Sequence, residues 1–174
     1  MAVIPLPDPA DMPDAERAVY DRFPANLTRG LPCTTTEVTE GYLHLGGAFP
    51  KSPLDTGSRE MVILRVGALS RSAYERVQHI GIAHSVGVTD VEVAAVESGR
   101  YDELTAQEAA VLRFVDELGA TPKATTTRDA VMRALSDQGL AIVTLLVGHY
   151  MMTARFLETL EIEIDAAPTN WPKT

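Results

Sequence analysis

Residues 58–79 have the pattern of two helices in close succession, Ser58-Arg-Glu-Met-Val-Ile-Leu-Arg-Val-Gly-Ala-Leu-Ser-Arg-Ser-Ala-Tyr-Glu-Arg-Val-Gln-His79. A short polar break, Ser70 to Ser72, separates the two helical patterns. Ser72, Glu75 and His79 stand at positions i, i+3 and i+7, which share one face of an α-helix. Glu60 lies upstream, on the preceding helix. The pattern therefore predicts that two acids and a histidine converge.

The converging groups are those that proton transfer requires. A carboxylate four residues before His79 raises the pKa of the imidazole and fixes its tautomer. The alternative for His79 is a buried histidine that bonds a backbone carbonyl group. Glu60 has two interpretations: a solvated glutamate favoured by the helix dipole, or a buried acid paired with His79 or Arg65.

Composition and charge exclude several classes of protein. The chain has 174 residues, 45% of them apolar, and a net charge of -9. Its 15 basic residues are scattered, so no nucleic-acid footprint and no docking on an anionic membrane are expected. The longest apolar run, 140–148, is far shorter than the ~18 residues of a membrane span. With one cysteine, Cys33, and no signal-peptide pattern, we expect a cytoplasmic protein.

Helical patterns and caps predict an all-α fold. We expect one domain over residues 1–174, a bundle of about seven or eight helices with an extended arm (1–12) and a tail (161–174). Capping boxes open helices at Thr89-Asp-Val-Glu92 and Thr105-Ala-Gln-Glu108, and Gly119 is expected to end the second of these. The last two helices are predicted to meet near residue 136, and residues 26–32 to form a loop.

Four further residues are candidates for binding a substrate. Tyr74 and Ser72 carry hydroxyl groups suited to a developing oxyanion. His149 and Tyr150 follow a glycine in the most apolar helix, where room for a ligand is one explanation and close helix packing is another. The chain has no HExxH, paired cysteines or phosphate-binding glycine loop, so we predict neither metal nor cofactor.

The stretch from Arg59 to His84 resembles the carboxymuconolactone decarboxylase family, whose superfamily includes the alkyl hydroperoxidase D proteins. The resemblance extends from about residue 5 to about residue 160 and includes residues 87–92 and the Gly148-His-Tyr150 segment. It implies an all-α fold and a homo-oligomer, a trimer or a hexamer, with pockets near subunit contacts.

The hydroperoxidase branch has a glutamate, a Cys-x-x-Cys pair and a histidine four residues later. By position, the resemblance places the glutamate on Glu60 and the histidine on His79, whereas the cysteines fall on Ser72 and Glu75. A serine does not support thiol redox chemistry. The resemblance therefore favours the decarboxylase branch, which uses no cofactor and acts on a carboxylated lactone of aromatic catabolism.

We therefore expect a cofactor-free acid/base lyase acting on a small carboxylated substrate, a lactone or another ring. His79 is expected to be the general acid/base, Glu75 its proton-transfer partner and Glu60 the buried relay acid. Isomerisation or hydrolytic lactone opening would use the same residues. The alternatives are a non-catalytic oligomeric ligand-binding protein on the same scaffold and, less favoured, a peroxide- or thiol-linked antioxidant enzyme.

Overall fold

The computed structural model describes residues 2–167, so residues 168–174 of the predicted tail lie outside the described part. Within it the chain forms eight α-helices and no β-strand. Their bounds are α1 (Asp14–Arg22), α2 (Asn26–Gly30), α3 (Thr36–Ala48), α4 (Thr56–Ser70), α5 (Ala73–Ser85), α6 (Asp90–Ser98), α7 (Ala106–Ala120) and α8 (Arg128–Thr159). The prediction of an all-α fold with about seven or eight helices is confirmed.

Side-chain caps set the starts of three helices. The Asp55 carboxylate accepts a hydrogen bond from the Ser58 N–H (2.9 Å) at the start of α4. Both predicted capping boxes form, at Thr89 for α6 and at Thr105 for α7. Each supplies partners for first-turn amides that a helix cannot satisfy itself.

Helix α4 is the centre of the bundle, because it packs against α5, α6, α7 and α8. One apolar cluster joins α4 to α7 and α8 through residues such as Ile63, Val115 and Leu146. A second cluster joins α4 to α5, α6 and α7. Residues 59–64 of α4 are all buried, so any polar group among them has to find a partner inside the protein.

Helix α8 contains an interruption at the predicted junction. Ser136 has φ 85° and ψ 169°, outside the helical region, so two helical segments meet there. By length and composition α8 is the one helix among residues 2–167 that could cross a membrane. Its buried side, including Val143 and Leu146, packs into the core against α4 and α7. A core helix passes the same length and composition test.

Two local predictions were wrong. Residues 26–32, expected as a loop, form α2 and the start of a 3-10 turn at Leu31–Cys33. Leu27 and Leu31 anchor this segment to Leu157, a long-range contact that local sequence does not reveal. Gly119 does not end α7, which continues to Ala120. A Cβ at Gly119 would lie 3.0 Å from a Leu69 methyl group, so this glycine serves close helix packing instead.

Candidate active site

Glu60 and His79 meet between α4 and α5. The chain reverses at Arg71, which has a left-handed conformation (φ 55°), and α5 then packs against α4. Glu60 is 1% exposed, and its Oε2 lies 2.7 Å from His79 Nδ1. This pairing confirms the buried interpretation of Glu60. Arg65, the other partner considered for it, pairs instead with Asp116 (2.5 Å).

A buried arginine that sequence reasoning missed completes the environment of Glu60. Both Nε and Nη2 of Arg59 contact Glu60 Oε1, at 3.1 and 3.0 Å. Arg59 is 9% exposed, although neighbouring residues in a helix do not ordinarily face each other. The signal in the sequence was an arginine placed directly before an acid in an apolar helix.

Glu75 approaches the other nitrogen of the same imidazole. Its Oε2 lies 3.6 Å from His79 Nε2, within ion-pair range but beyond a hydrogen bond. Gly67 of α4 allows the close approach of α5, because a Cβ at residue 67 would lie 3.2 Å from Glu75 Cβ. The predicted convergence of Glu60, Glu75 and His79 is therefore present in the structure.

Burial and neighbouring charges shift the proton affinities in this cluster. Burial raises the pKa of Glu75 to about 7, against the opposing charge of His79. Burial acts to lower the pKa of His79, but the hydrogen bond to Glu60 and the charges of Glu60 and Glu75 outweigh it, so that the pKa is raised. A carboxyl group and an imidazole that both hold a proton more tightly than usual are suited to acid/base catalysis.

Several buried polar atoms beside this cluster have no partner among residues 2–167. They include Ser72 Oγ, Glu75 Oε1 and His149 Nδ1. A buried polar atom without a hydrogen bond costs about 1–3 kcal/mol, so native proteins keep few of them. Unsatisfied donors and acceptors of this kind are suited to binding water or a polar ligand.

Helix α8 contributes two aromatic rings to the cluster. The Tyr150 ring packs edge-on against His79 at 5.2 Å and against His149 at 5.3 Å, measured between ring centroids. His149 stacks on Tyr42 of α3 at 4.7 Å, and burial lowers the pKa of His149 to about 4. His149 is therefore neutral at physiological pH. Tyr42, which was not predicted as a site residue, belongs to the same ring stack.

Tyr74, predicted to bind a substrate, has its hydroxyl group bonded to two other parts of the chain. Its hydroxyl group donates to the Asp165 carboxylate and accepts a hydrogen bond from the Leu27 N–H (3.1 Å). A tyrosine hydroxyl has a single proton to donate, and here Asp165 takes it. Tyr74 thus holds α2 and the C-terminal segment against α5, on a different side of the helix from His79.

A cavity of about 470 Å³ lies beside the N-terminal arm and α2, at a distance from the acid cluster. It is lined by Ala2, Val3, Ile4, Pro5, Leu6, Asn26, Arg29 and Glu163. Its lining is mostly apolar and includes none of the converging acids or histidines. Among residues 2–167 there is no group of three His, Cys, Asp or Glu side chains arranged to hold a metal ion.

The helical bundle has an alkyl hydroperoxidase D-like fold. Residues 37–117, which include Glu60, Ser72, Glu75 and His79, match the model of the carboxymuconolactone decarboxylase family. The matched segment contains the stretch from Arg59 to His84 on which the predicted resemblance rests. No curated protein shows a significant match to the chain.

Solved structures share the fold. An alkylhydroperoxidase AhpD core protein, an uncharacterized peroxidase-related protein from Ralstonia eutropha JMP134, matches with a TM-score of 0.80 and 17% identity, covering 95% of this chain and 93% of that one. A peroxidase-related protein from Silicibacter sp. TM1040 matches with a TM-score of 0.77 and 15% identity, over 95% and 92% of the two chains.

The debrominase Bmp8, solved as a cysteine-to-alanine variant with 2,3,4-tribromopyrrole, is another structural neighbour. It matches with a TM-score of 0.76 and 14% identity, over 97% of this chain and 96% of its own. At this level of identity these likenesses establish the fold alone.

Proposed function

We propose that this protein is a cofactor-free acid/base lyase that decarboxylates a small carboxylated lactone or related ring. The observation that supports this most directly is the buried pair of Glu75 and His79. The 3.6 Å between Glu75 Oε2 and His79 Nε2 brings two groups with raised pKa values together, where burial excludes water. The match of residues 37–117 to the carboxymuconolactone decarboxylase family model supports the same reaction class.

The reaction needs one proton for each carbon dioxide released. The bond between the ring carbon and the carboxylate breaks, carbon dioxide leaves, and the electron pair passes into the adjoining unsaturated system as an enolate. The positive charge of protonated His79 stabilises that enolate, and the unpartnered Ser72 hydroxyl group donates to its oxygen. His79 or protonated Glu75 then delivers the proton to carbon.

Carbon dioxide release from carboxylated lactones and β-keto acids tests this proposal. Wild-type protein with EDTA is expected to release carbon dioxide from at least one compound, and His79→Ala to lose roughly 10²–10⁴-fold in rate. His84→Ala is the matched control, because His84 lies at the exposed end of the same helix. Full activity of His79→Ala would contradict the proposal. Binding without turnover by wild-type protein would favour the non-catalytic binding protein instead.

A thiol-dependent reaction is the weaker alternative. The chain has one cysteine, and partial burial, with the charge of Glu16, raises the pKa of the Cys33 thiol. A raised pKa reduces the reactive thiolate at neutral pH. Hydroperoxide consumption with a thiol reductant, and debromination of a bromopyrrole, are both expected to be absent. Activity that Cys33→Ser abolishes would establish this alternative.

We further propose that the protein is a homo-oligomer, a trimer or a hexamer. Leu145 and Met152 of α8 stand seven residues apart and are 60% and 48% exposed. Val38 and Leu45 of α3 have the same spacing and are 55% and 38% exposed. Large exposed apolar side chains repeated along a helix are typical of a subunit contact. Light scattering is expected to give three or six chains, and Leu145→Glu to reduce that number; a monomeric wild type would contradict the proposal.

A further inference from the structure

The contact between Arg59 and Glu60 departs from ordinary helix geometry. Consecutive side chains on a helix point in different directions. Even so, Arg59 turns its guanidinium group back so that Nε and Nη2 both approach Glu60 Oε1, at 3.1 and 3.0 Å. Burying a guanidinium group is unfavourable unless it is paired, so this contact accounts for the buried position of Arg59.

The two oxygens of Glu60 have separate partners. Oε1 contacts Arg59, and Oε2 lies 2.7 Å from His79 Nδ1. A carboxylate with a permanent cation on one oxygen and an imidazole N–H on the other is stabilised in its ionised form. Both oxygens of Glu60 are therefore already in contact with a partner, and neither is left for Glu75 or another group.

Glu75 differs from Glu60 in every one of these respects. Its Oε1 has no partner among residues 2–167, and its Oε2 is 3.6 Å from His79 Nε2. His79 offers it a positive charge, whereas Glu158 and Glu60 both disfavour its ionised form. The other titratable groups that act on or respond to this carboxyl group are tyrosines, Tyr42, Tyr74 and Tyr150.

We propose that Arg59 is a positioning residue that holds Glu60 as a fixed anion, so that Glu75 and His79 carry the mobile proton. Glu60 then orients His79 through Nδ1 and leaves Nε2 for exchange with Glu75. This changes the role expected for Glu60 from relay acid to orienting anion. Any effect of Arg59 on the turnover rate rests on the proposed lyase function. The statement that Glu75, and not Glu60, carries the proton does not depend on that function.

Infrared difference spectroscopy tests the assignment without a substrate. Between about pH 6 and about pH 8.5, ordinary carboxyl groups are already ionised, so that a C=O band of a protonated carboxyl group reports a raised pKa. Wild-type protein is expected to lose one such band as the pH rises. Glu75→Gln is expected to lack the band, and Glu60→Gln to retain it. The reverse pattern, or a band that survives in both variants, would overturn the proposal.

Substitution of Arg59 tests whether this residue keeps Glu60 in its ionised form. In Arg59→Gln the buried Glu60 carboxyl group loses its cation, so that a second band is expected and the total band area roughly doubles. Arg59→Lys retains the charge and is expected to restore the single band. A spectrum of folded Arg59→Gln identical to that of wild type would overturn the role of Arg59. If Arg59→Gln does not fold, the Glu60 and Glu75 variants decide which acid carries the proton, and Arg59→Lys must retain the single band.

These measurements separate the two proposals. If the Glu75 band is present but no carbon dioxide is released, Glu75 carries the proton and the proposed reaction is wrong. If carbon dioxide is released but the band belongs to Glu60, the proposed reaction stands and the role given to Glu75 is wrong.

Discussion

The N-termini of α7 and α5 have the same sequence signature, a hydroxyl residue followed three positions later by glutamate, and use it in opposite ways. At α7, Thr105 Oγ1 accepts a hydrogen bond from the Glu108 N–H (3.3 Å), and the Glu108 carboxylate accepts one from the Thr105 N–H (2.9 Å). At α5, Ser72 makes no capping bond, and its hydroxyl group is buried without a partner.

The difference lies in what surrounds each helix start. The capping box at Thr105 is exposed, so that its polar atoms face water or one another. Glu75 is buried, and its carboxylate turns along α5 towards His79. The glutamate that would cap the helix is used in the acid cluster instead. The comparison shows that a local signature specifies a cap only where no buried partner competes for the side chain.

The largest expected effect concerns the buried glutamate of this comparison. Glu75→Gln should change how the free energy of unfolding depends on pH. Burial raises the pKa of Glu75 from 4.5 to about 7, so its stabilising contribution is complete below pH 4.5 and is lost as the pH rises through 7. The shift corresponds to about 3 kcal/mol. Relative to Glu75→Gln, the free energy of unfolding of wild type should fall by about that amount between pH 4.5 and about pH 8, measured in urea.

Glu108→Gln is the matched control for that measurement. Glu108 has the same position in its helix but is only partly buried and is hydrogen-bonded in its capping box, so the variant should follow the pH dependence of wild type. A Glu75→Gln curve parallel to that of wild type would mean that the carboxyl group of Glu75 is not held in its protonated form by burial.

Tyr74→Phe comes next in expected size and separates structure from catalysis at the start of α5. The variant removes the bonds to Asp165 and to the Leu27 N–H, leaving a buried backbone donor unsatisfied. A loss of about 2 kcal/mol in the free energy of unfolding is expected, with the turnover rate of the folded protein unchanged. A large fall in turnover with full stability would restore Tyr74 as the oxyanion donor.

The smallest expected effects compare the two hydroxyl residues directly. Thr105→Ala removes a formed cap and should lower the free energy of unfolding by about 1 kcal/mol. Ser72→Ala removes a buried hydroxyl group that makes no bond, so the free energy should stay equal or rise slightly. Urea titrations measure both. Equal losses in the two variants would show that Ser72 caps α5 in solution.

Much of the fold was predictable because its rules are local. The caps at Asp55, Thr89 and Thr105 depend on side chains within three residues of the helix start. The junction at Ser136 was also predicted from the pattern of the chain. The short helix α2 was not, because a five-residue helix owes its stability to tertiary contacts, here those of Leu27 and Leu31 with Leu157.

The candidate site was predictable only in part. Helical spacing placed Glu75 and His79 on one face, and the pattern of the preceding helix added Glu60. Arg59, Tyr42 and the bonding of Tyr74 were missed, because each depends on which distant side chain lies opposite.

The sequence by itself determined the helical class, the helix starts and the presence of an acid–histidine face without redox cysteines, since periodicity and capping act over a few residues. Only the tertiary structure decided that Arg59 contacts Glu60 and that Glu75 lies near His79 instead of capping α5. It also decided that the Tyr74 hydroxyl group bonds Asp165. The physical reason is burial. Water satisfies every polar group equally in an extended chain, and packing α5 against α4 removes that water and makes each buried charge depend on its new neighbours.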